Sequence, residues 1–131
     1  MWHIFKTAHH KVEEFRKGRS RQSDEQFVSE CLLPSVPEAR RIAIGVRRAV
    51  ANIGLIDPLF IRASDRFPEE LEILPLWDSM DWVALILELE SELGQPIPQS
   101  WRCQLQFTVR QLVESVYQEL AGHGRTGEAA V

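Results

Sequence analysis

The most restrictive feature of the sequence is the stretch from Leu74 to Gly94, which predicts an irregular loop followed by one capped amphipathic helix. Asp78 is the expected N-cap, and Asp81, three residues later, completes an acidic form of the capping box. Gly94 supplies a left-handed stop, and the prolines after it prevent continuation. The stretch therefore predicts a helix from Ser79 to Leu93, with a serine in its first turn where the chain leaves the loop.

This predicted helix carries more apolar surface than a single core contact requires. At about 100° per residue, one stripe suits a buried core and consists of Trp82, Leu85, Ile86, Leu89 and Leu93. A second stripe begins beside Ser79 and consists of Met80, Val83, Ala84 and Leu87. An acidic edge between the two contains Asp81, Glu88 and Glu92. The second stripe is either buried by further helices or open to a partner.

Composition limits the function classes. The chain has 131 residues, 44% of them apolar, which fits one domain with a packed core. A net charge of −4 disfavours general nucleic-acid binding. No apolar run approaches the ~20 residues that span a membrane, and the start of the chain lacks the pattern of a signal peptide. We therefore expect a soluble, cytoplasmic protein without a membrane span.

Cysteines and histidines indicate neither a metal site nor an active site. Cys31 and Cys103 lie in separate helical patterns and are expected to be reduced, partly buried thiols. The pair His9-His10 has no third or fourth ligand nearby, so no metal is expected. All four histidines lie in terminal segments, which leaves Ser79 without a base and argues against an enzyme.

Residues 2–17 predict an amphipathic helix ahead of the central region. Its apolar side is formed by Trp2, Ile4, Phe5, Ala8, Val12 and Phe15. This helix is expected to dock on the body of the protein, with a partner or an anionic membrane surface as the alternative. A polar linker over 18–23 and a short helix that ends before Pro34 follow.

A longer helix is predicted to begin at 35–38 and to end at Gly54. Its apolar residues at helical spacing are Ile42, Ala43, Val46, Ala49, Val50 and Ile53. Another side carries Arg40, Arg41, Arg47 and Arg48, which are expected to form a solvated face or to face the acidic helix. The connection over 55–78 contains many apolar residues and is expected to pack down; such long loops are often functional.

The end of the chain predicts two further helices. Residues 99–106 suit a short helix. Thr108 and Gln111 form the capping box of a last helix that ends near Leu120. The polar stretch 122–131 is expected to be a disordered tail. No strand alternation is present, so the expected fold is all-α.

The order of these features resembles the acyl carrier protein family. The resemblance covers roughly 37–121 and rests on Asp78-Ser79-Met80-Asp81-Trp82-Val83, Leu89-Glu90-Ser91-Glu92-Leu93-Gly94, Ile97-Pro98 and Phe107-Thr108-Val109. It implies an acyl-carrier-like four-helix bundle over 35–121, with three longer helices, one short helix and a long first loop. The rest is an N-terminal helical extension over 1–34 and the tail over 122–131.

The resemblance implies that Ser79 receives 4′-phosphopantetheine from coenzyme A and that the thiol of this arm holds an acyl or aminoacyl group as a thioester. A helix N-terminus would suit the phosphodiester anion, because free N–H groups and the helix dipole favour negative charge there. Asp78 would help to present the serine to a phosphopantetheinyl transferase. The core stripe, with Phe67 and Leu74 of the loop, could line a cavity for a short acyl chain.

Partner recognition is implied for the surface of the same helix. Met80, Val83 and Leu87 would be apolar anchors for acyl-loading and acyl-transferring enzymes. Residues 65–92 contain nine Asp or Glu and only one basic residue. The acids expected to meet basic patches on those enzymes are Asp81, Glu88, Glu90 and Glu92, with Glu69, Glu70 and Glu72 of the loop.

Some residues depart from the family's usual pattern, namely Leu76, Trp77, Met80, Trp82 and Ala84. They favour a dedicated biosynthetic pathway over general fatty-acid synthesis. We expect a discrete, monomeric carrier. The alternative is an unmodified carrier-like helical module that acts only in protein–protein interaction.

Overall fold

The computed structural model describes the backbone of residues 2–130 and the side chains of 7–122. The helices are α1 (Trp2–Arg16), α2 (Asp24–Glu30), α3 (Pro37–Gly54), α4 (Trp82–Leu93) and α5 (Val109–Ala130). The expectation of a mainly helical protein is confirmed. Within the described part of the chain, no helix combines the length and apolarity needed to cross a bilayer.

The prediction that strands are absent is wrong, because two short strands pair. Strands β1 (Arg66–Phe67) and β2 (Phe107–Thr108) are antiparallel, with Phe67 opposite Phe107. This pair joins the loop before α4 to the segment after it. Two residues are too few to produce the alternation by which strands are recognised in a sequence.

Helix α3 lies at the centre of the bundle and packs against both α4 and α5. Its predicted apolar side is buried, apart from the half-buried Ile53. Two glycines allow close approach to neighbouring segments. A Cβ atom at Gly45 would lie 2.4 Å from Cδ2 of Leu93, and one at Gly54 would lie 2.7 Å from Cδ1 of Leu74. The end of α4 and the loop before it therefore lie directly on the backbone of α3.

The expected solvated face of α3 is wrong for Arg47, whose side chain is 0% exposed. Its guanidinium donates to the carbonyl oxygens of Gln22, Leu59 and Ile61 at 2.9, 3.2 and 3.1 Å. It also pairs with the Asp24 carboxylate at 2.9 Å. Burial lowers the pKa of Arg47 from its usual value. The Leu59 carbonyl also accepts from the Gln22 amide at 2.8 Å. The carbonyls of Gln22 and Ile61 lie outside the helices and strands, and the guanidinium supplies a donor to each.

Arg41 does face the acidic helix, since its Nη1 donates to the Leu93 carbonyl oxygen at 2.9 Å. That carbonyl is at the C-terminal end of α4, where a cation is favoured. Arg48, the residue that follows Arg47, is exposed.

The N-terminal segments share the core of the bundle. Phe15 of α1, Phe27 of α2 and Cys31 are buried in the same hydrophobic cluster as α3, α4 and α5. Arg19, after α1, makes a bidentate pair with the buried Asp65 at 2.7 and 2.9 Å. Docking of the first helix is therefore confirmed. The side chains of Trp2, Ile4 and Phe5, also assigned to its apolar side, lie outside the described residues.

The end of the chain agrees with the sequence only in part. The capping box is confirmed: the Thr108 amide donates to Oε1 of Gln111 at 2.8 Å, and the Gln111 amide donates to Oγ1 of Thr108 at 3.1 Å. The predicted helix over 99–106 is wrong, because this segment is irregular. Trp101 is buried there and its indole N–H donates to Oγ of Ser115 at 3.1 Å.

Helix α5 continues past the predicted end near Leu120 to Ala130. The predicted tail over 122–131 thus falls mostly on residues with a described backbone but without described side chains.

Candidate functional site

Ser79 lies in a turn over 75–79 that precedes α4, and its side chain is exposed. The predicted helix start at Ser79 and the predicted N-cap at Asp78 are both wrong. Helix α4 begins at Trp82, and the N-cap is Asp81, whose carboxylate accepts from the Ala84 amide at 2.8 Å. The serine therefore lies in the turn that precedes the helix and not in the first helical turn.

The burial of Trp77 explains this shift. Its side chain is fully buried, and its indole N–H donates to the Val50 carbonyl oxygen of α3 at 3.1 Å. The ring lies 5.5 Å from that of Phe67 and 6.4 Å from that of Phe107, between centroids. The chain must return from this buried position to the surface before α4 can begin. The chain reaches the surface again at Asp81, where α4 is capped. Trp77 therefore fixes the exposed turn to the core just before Ser79.

Leu76 adds a strained position to the same turn. It has a φ of 66° and is 55% exposed. The left-handed conformation costs a residue with a Cβ roughly 1–2 kcal/mol. Its neighbours Leu74 and Trp77 are both fully buried, and their packing compensates for this cost. No sequence signal marks the strain, because glycine or asparagine is the usual residue at such a position.

Asp78 is exposed and has a cationic neighbour on the N-terminal helix. Nζ of Lys11, on α1, lies 3.7 Å from Oδ2 of Asp78. This distance is an ion pair and not a hydrogen bond. Sequence reasoning missed Lys11, although it lies three residues after Ala8 and four before Phe15, on the side of α1 that packs.

The two predicted stripes of α4 are separated largely as expected. Leu85, Ile86, Leu89 and Leu93 are buried in the core, whereas Val83 and Leu87 are 53% and 57% exposed. Met80 is intermediate and packs against the core, so it supplies less exposed apolar surface than predicted.

Trp82, assigned to the core stripe, is only partly buried. Its ring meets that of Trp101 edge-on, with centroids 5.8 Å apart. It also lies 6.5 Å from the ring of Phe107, so it closes the core at the N-terminal end of α4.

The acidic edge of α4 is used mostly within the molecule. Oε1 of Glu88 and Oε1 of Glu92 accept hydrogen bonds from the Asn52 amide at 2.8 and 2.7 Å. Oε2 of Glu90 accepts from the Ile97 backbone amide at 2.8 Å. These bonds orient Glu88 and Glu92 towards α3 and Glu90 towards the loop after α4, while Asp81 caps α4 itself. Glu69 and Glu72, before the turn, are exposed.

The residues expected to line an acyl cavity are packed against neighbours. Phe67 lies 5.2 Å from the ring of Phe107, between centroids, in addition to its contact with Trp77. Leu74 is fully buried against Gly54. These two side chains therefore belong to the aromatic and aliphatic core beneath the Ser79 turn.

Metal ligands and reactive thiols do not gather near the turn. Among the described residues, no three His, Cys, Asp or Glu side chains lie close enough together to hold a metal ion. Cys31 is buried, which raises its thiol pKa to about 11, and burial also raises the pKa of Cys103. A raised pKa keeps a thiol protonated and unreactive at neutral pH.

Comparison with known proteins adds no assignment. No protein-family model, no curated protein and no solved structure matches the chain.

Proposed function

We propose that the protein is a discrete carrier with 4′-phosphopantetheine attached to Ser79. The observation that carries this proposal is the exposed serine on a turn that Trp77 fixes to α3, directly ahead of an amphipathic helix with an exposed apolar side. This combination occurs in the order of elements that resembles the acyl carrier proteins. In the proposed bundle α3, α4 and α5 are the three longer helices, and the irregular 99–106 replaces the short one.

The Ser79 turn fits a bulky covalent group. The hydroxyl makes no hydrogen bond to any residue in the described part of the chain, so its modification breaks none there. Attachment joins Ser79 Oγ to the phosphorus of the pantetheine phosphate, displaces the nucleotide part of coenzyme A and releases the hydroxyl proton. The arm supplies a thiol that holds the cargo as a thioester. The protein orients the arm and is itself no catalyst.

Partner enzymes would bind to the surface beside the turn. Val83 and Leu87 form its apolar centre, and Leu76 on the turn itself is also exposed. Glu69 and Glu72 provide negative charge on the approach to the serine. Desolvated apolar anchors with a charged rim suit a transient complex, because the rim speeds encounter and the anchors supply affinity. A transferase or acyl-loading enzyme with a basic rim is the partner this surface suits; we place the carrier in the cytoplasm, as a monomer.

The second candidate is an unmodified interaction module. Asp81 favours it in one respect, because its carboxylate already occupies the N-terminal end of α4, where the phosphodiester was expected. An exposed serine with no bonding role in the described fold favours the carrier.

The test is mass spectrometry of the full chain after incubation with coenzyme A and a phosphopantetheinyl transferase of broad specificity. We expect the mass of one phosphopantetheine to be gained on Ser79 and lost in Ser79→Ala. Ser91→Ala, a change at an exposed serine within α4, is the matched control and should be modified normally. If several such transferases leave the wild type unmodified, the interaction module replaces the carrier as the proposed function.

A further inference from the structure

Lys11 belongs to the side of α1 that packs on the protein. Ala8, Lys11, Val12 and Phe15 recur at helical spacing, and none of them is fully exposed. Phe15 is buried, and Val12 packs against the core. Beyond the helix, the bidentate pair of Arg19 with Asp65 fixes the next segment. The Lys11 side chain is 35% exposed, so its stem lies against the protein while its ammonium reaches Asp78.

The surroundings of Ser79 otherwise disfavour a new anion. Asp78 precedes the serine and Asp81 follows within two residues. A phosphodiester adds one more negative charge between these carboxylates. The positive end of the α4 dipole is already occupied by the carboxylate of Asp81. Among the described residues, Lys11 is the one cation within 4.0 Å of either aspartate.

The distances allow Lys11 to serve both positions. Successive Cα atoms are about 3.8 Å apart, so the residue that would carry the phosphate is the direct neighbour of the residue that Lys11 already reaches. Lysine is a compact charge on a flexible four-carbon stem with three donors, and it can exchange partners without movement of the helix. A phosphate oxygen is a strong acceptor for such a charge-assisted hydrogen bond.

We propose that Lys11 binds the phosphodiester of the modified protein, moving from Asp78 to the phosphate on Ser79. This inference rests on the proposed function and extends it, because α1 lies outside the region that resembles a carrier. The N-terminal segment would then supply a binding residue to the site. The position of Lys11 also places α1 at the border of the surface to which a partner enzyme must bind.

The chain makes this proposal directly measurable, since its only lysines are Lys6, Lys11 and Lys17. Nuclear magnetic resonance of the full chain can resolve the ammonium and Cε signals of the three lysines. The spectra are compared before and after attachment of phosphopantetheine to Ser79, which is called loading below. We expect loading to shift the Lys11 resonances and to leave those of Lys17 in place. The phosphorus resonance of the arm should move in Lys11→Met, return towards the wild-type position in Lys11→Arg and stay unchanged in Lys17→Met.

A second measurement compares the unfolding constants of the loaded and unloaded protein. A lost surface ion pair changes the ratio of the two unfolding constants by about 1.4- to 5-fold. We expect loading to destabilise Lys11→Met by this factor more than it destabilises Lys17→Met. The proposal is overturned if the Lys11 resonances do not respond to loading, or if the two methionine variants behave alike. Mass spectrometry separates this result from failure of the carrier function, in which Ser79 stays unmodified and both proposals fall together.

Discussion

The indole N–H of Trp77 donates to the Val50 carbonyl oxygen at 3.1 Å, so one side chain connects the turn before α4 to the middle of the α3 backbone. Trp77→Phe keeps an aromatic ring but removes this donor. We expect it to lower the free energy of unfolding by about 1–3 kcal/mol, from the lost hydrogen bond and the smaller ring. Urea unfolding measures this change, and amide hydrogen exchange should become faster over 75–79.

Trp82→Phe is the matched control for this variant. Trp82 is only partly buried and makes no hydrogen bond from its indole to another described residue. Its replacement should cost less than that of Trp77 and leave exchange in the turn unchanged. Equal effects of the two variants would show that Trp77 does not hold the turn.

Asp81 and Asp78 distinguish the observed helix start from the predicted one. Asp81→Ala removes the N-cap of α4 and should cost about 1 kcal/mol. Asp78→Ala removes only a partly exposed ion pair, for which we expect less than about 1 kcal/mol. Chemical denaturation gives both values. A larger loss from Asp78→Ala than from Asp81→Ala would mean that the helix begins at Ser79.

Arg47 and Arg48 are adjacent in sequence but differ in burial. Arg47→Met leaves buried carbonyl oxygens and the Asp24 carboxylate without their donor, and we expect a loss of about 3–5 kcal/mol. Arg48→Met changes an exposed side chain and should stay within about 0.5 kcal/mol of the wild type. Thermal unfolding of the two variants tests this difference, and similar melting temperatures would contradict the buried network.

Leu87 and Leu89 test the division of α4 into an exposed and a buried side. Leu87→Asp should leave the melting temperature nearly unchanged and slow modification of Ser79 by the transferase. Leu89→Asp places a carboxylate in the core, and we expect it to prevent stable folding. If Leu87→Asp also unfolds the protein, Leu87 is part of the core. If the variant is stable and is modified at the normal rate, Leu87 is not a transferase contact.

The buried thiol of Cys31 gives a dependence of stability on alkaline pH. Burial raises its pKa from the ordinary 9.0 to about 11, so the unfolded chain releases this proton at lower pH than the folded protein. The resulting stabilisation is complete below pH 9 and is lost as the pH rises towards 11, by at most about 1.4 kcal/mol per pH unit. Cys31→Ala should therefore lose less stability than the wild type between pH 9 and 11. Parallel pH profiles would show that the thiol does not contribute.

Much of the fold follows from local patterns. The apolar spacing in α3 and α4 places most of their core residues correctly, because the period of the apolar residues determines which side of a helix is buried. The box formed by Thr108 and Gln111 is equally local and was predicted together with the helix it opens. Gly94 ends α4 as predicted, with a φ of 67°.

The errors come from contacts between distant segments. Asp78 and Asp81 are equally good caps by residue type, and only the burial of Trp77 against α3 selects the second. Arg47 has the spacing of a surface residue, and its burial depends on carbonyl groups that the loop and the residues before α2 bring to it. Lys11 lies far from Asp78 in sequence, so only the docking of α1 shows that the two side chains meet.

The network around Arg47 also determines how the sequence can be divided. A shortened chain that begins at Ser35 would keep this guanidinium but lose the Gln22 carbonyl and the Asp24 carboxylate. It would also lose the Phe27 ring, whose centroid lies 4.7 Å from Cζ of Arg47. A permanent charge would remain in the interior with half of its hydrogen-bond partners missing. A chimera that transplants the bundle of α3, α4 and α5 into another protein must therefore include the chain from Gln22 onward.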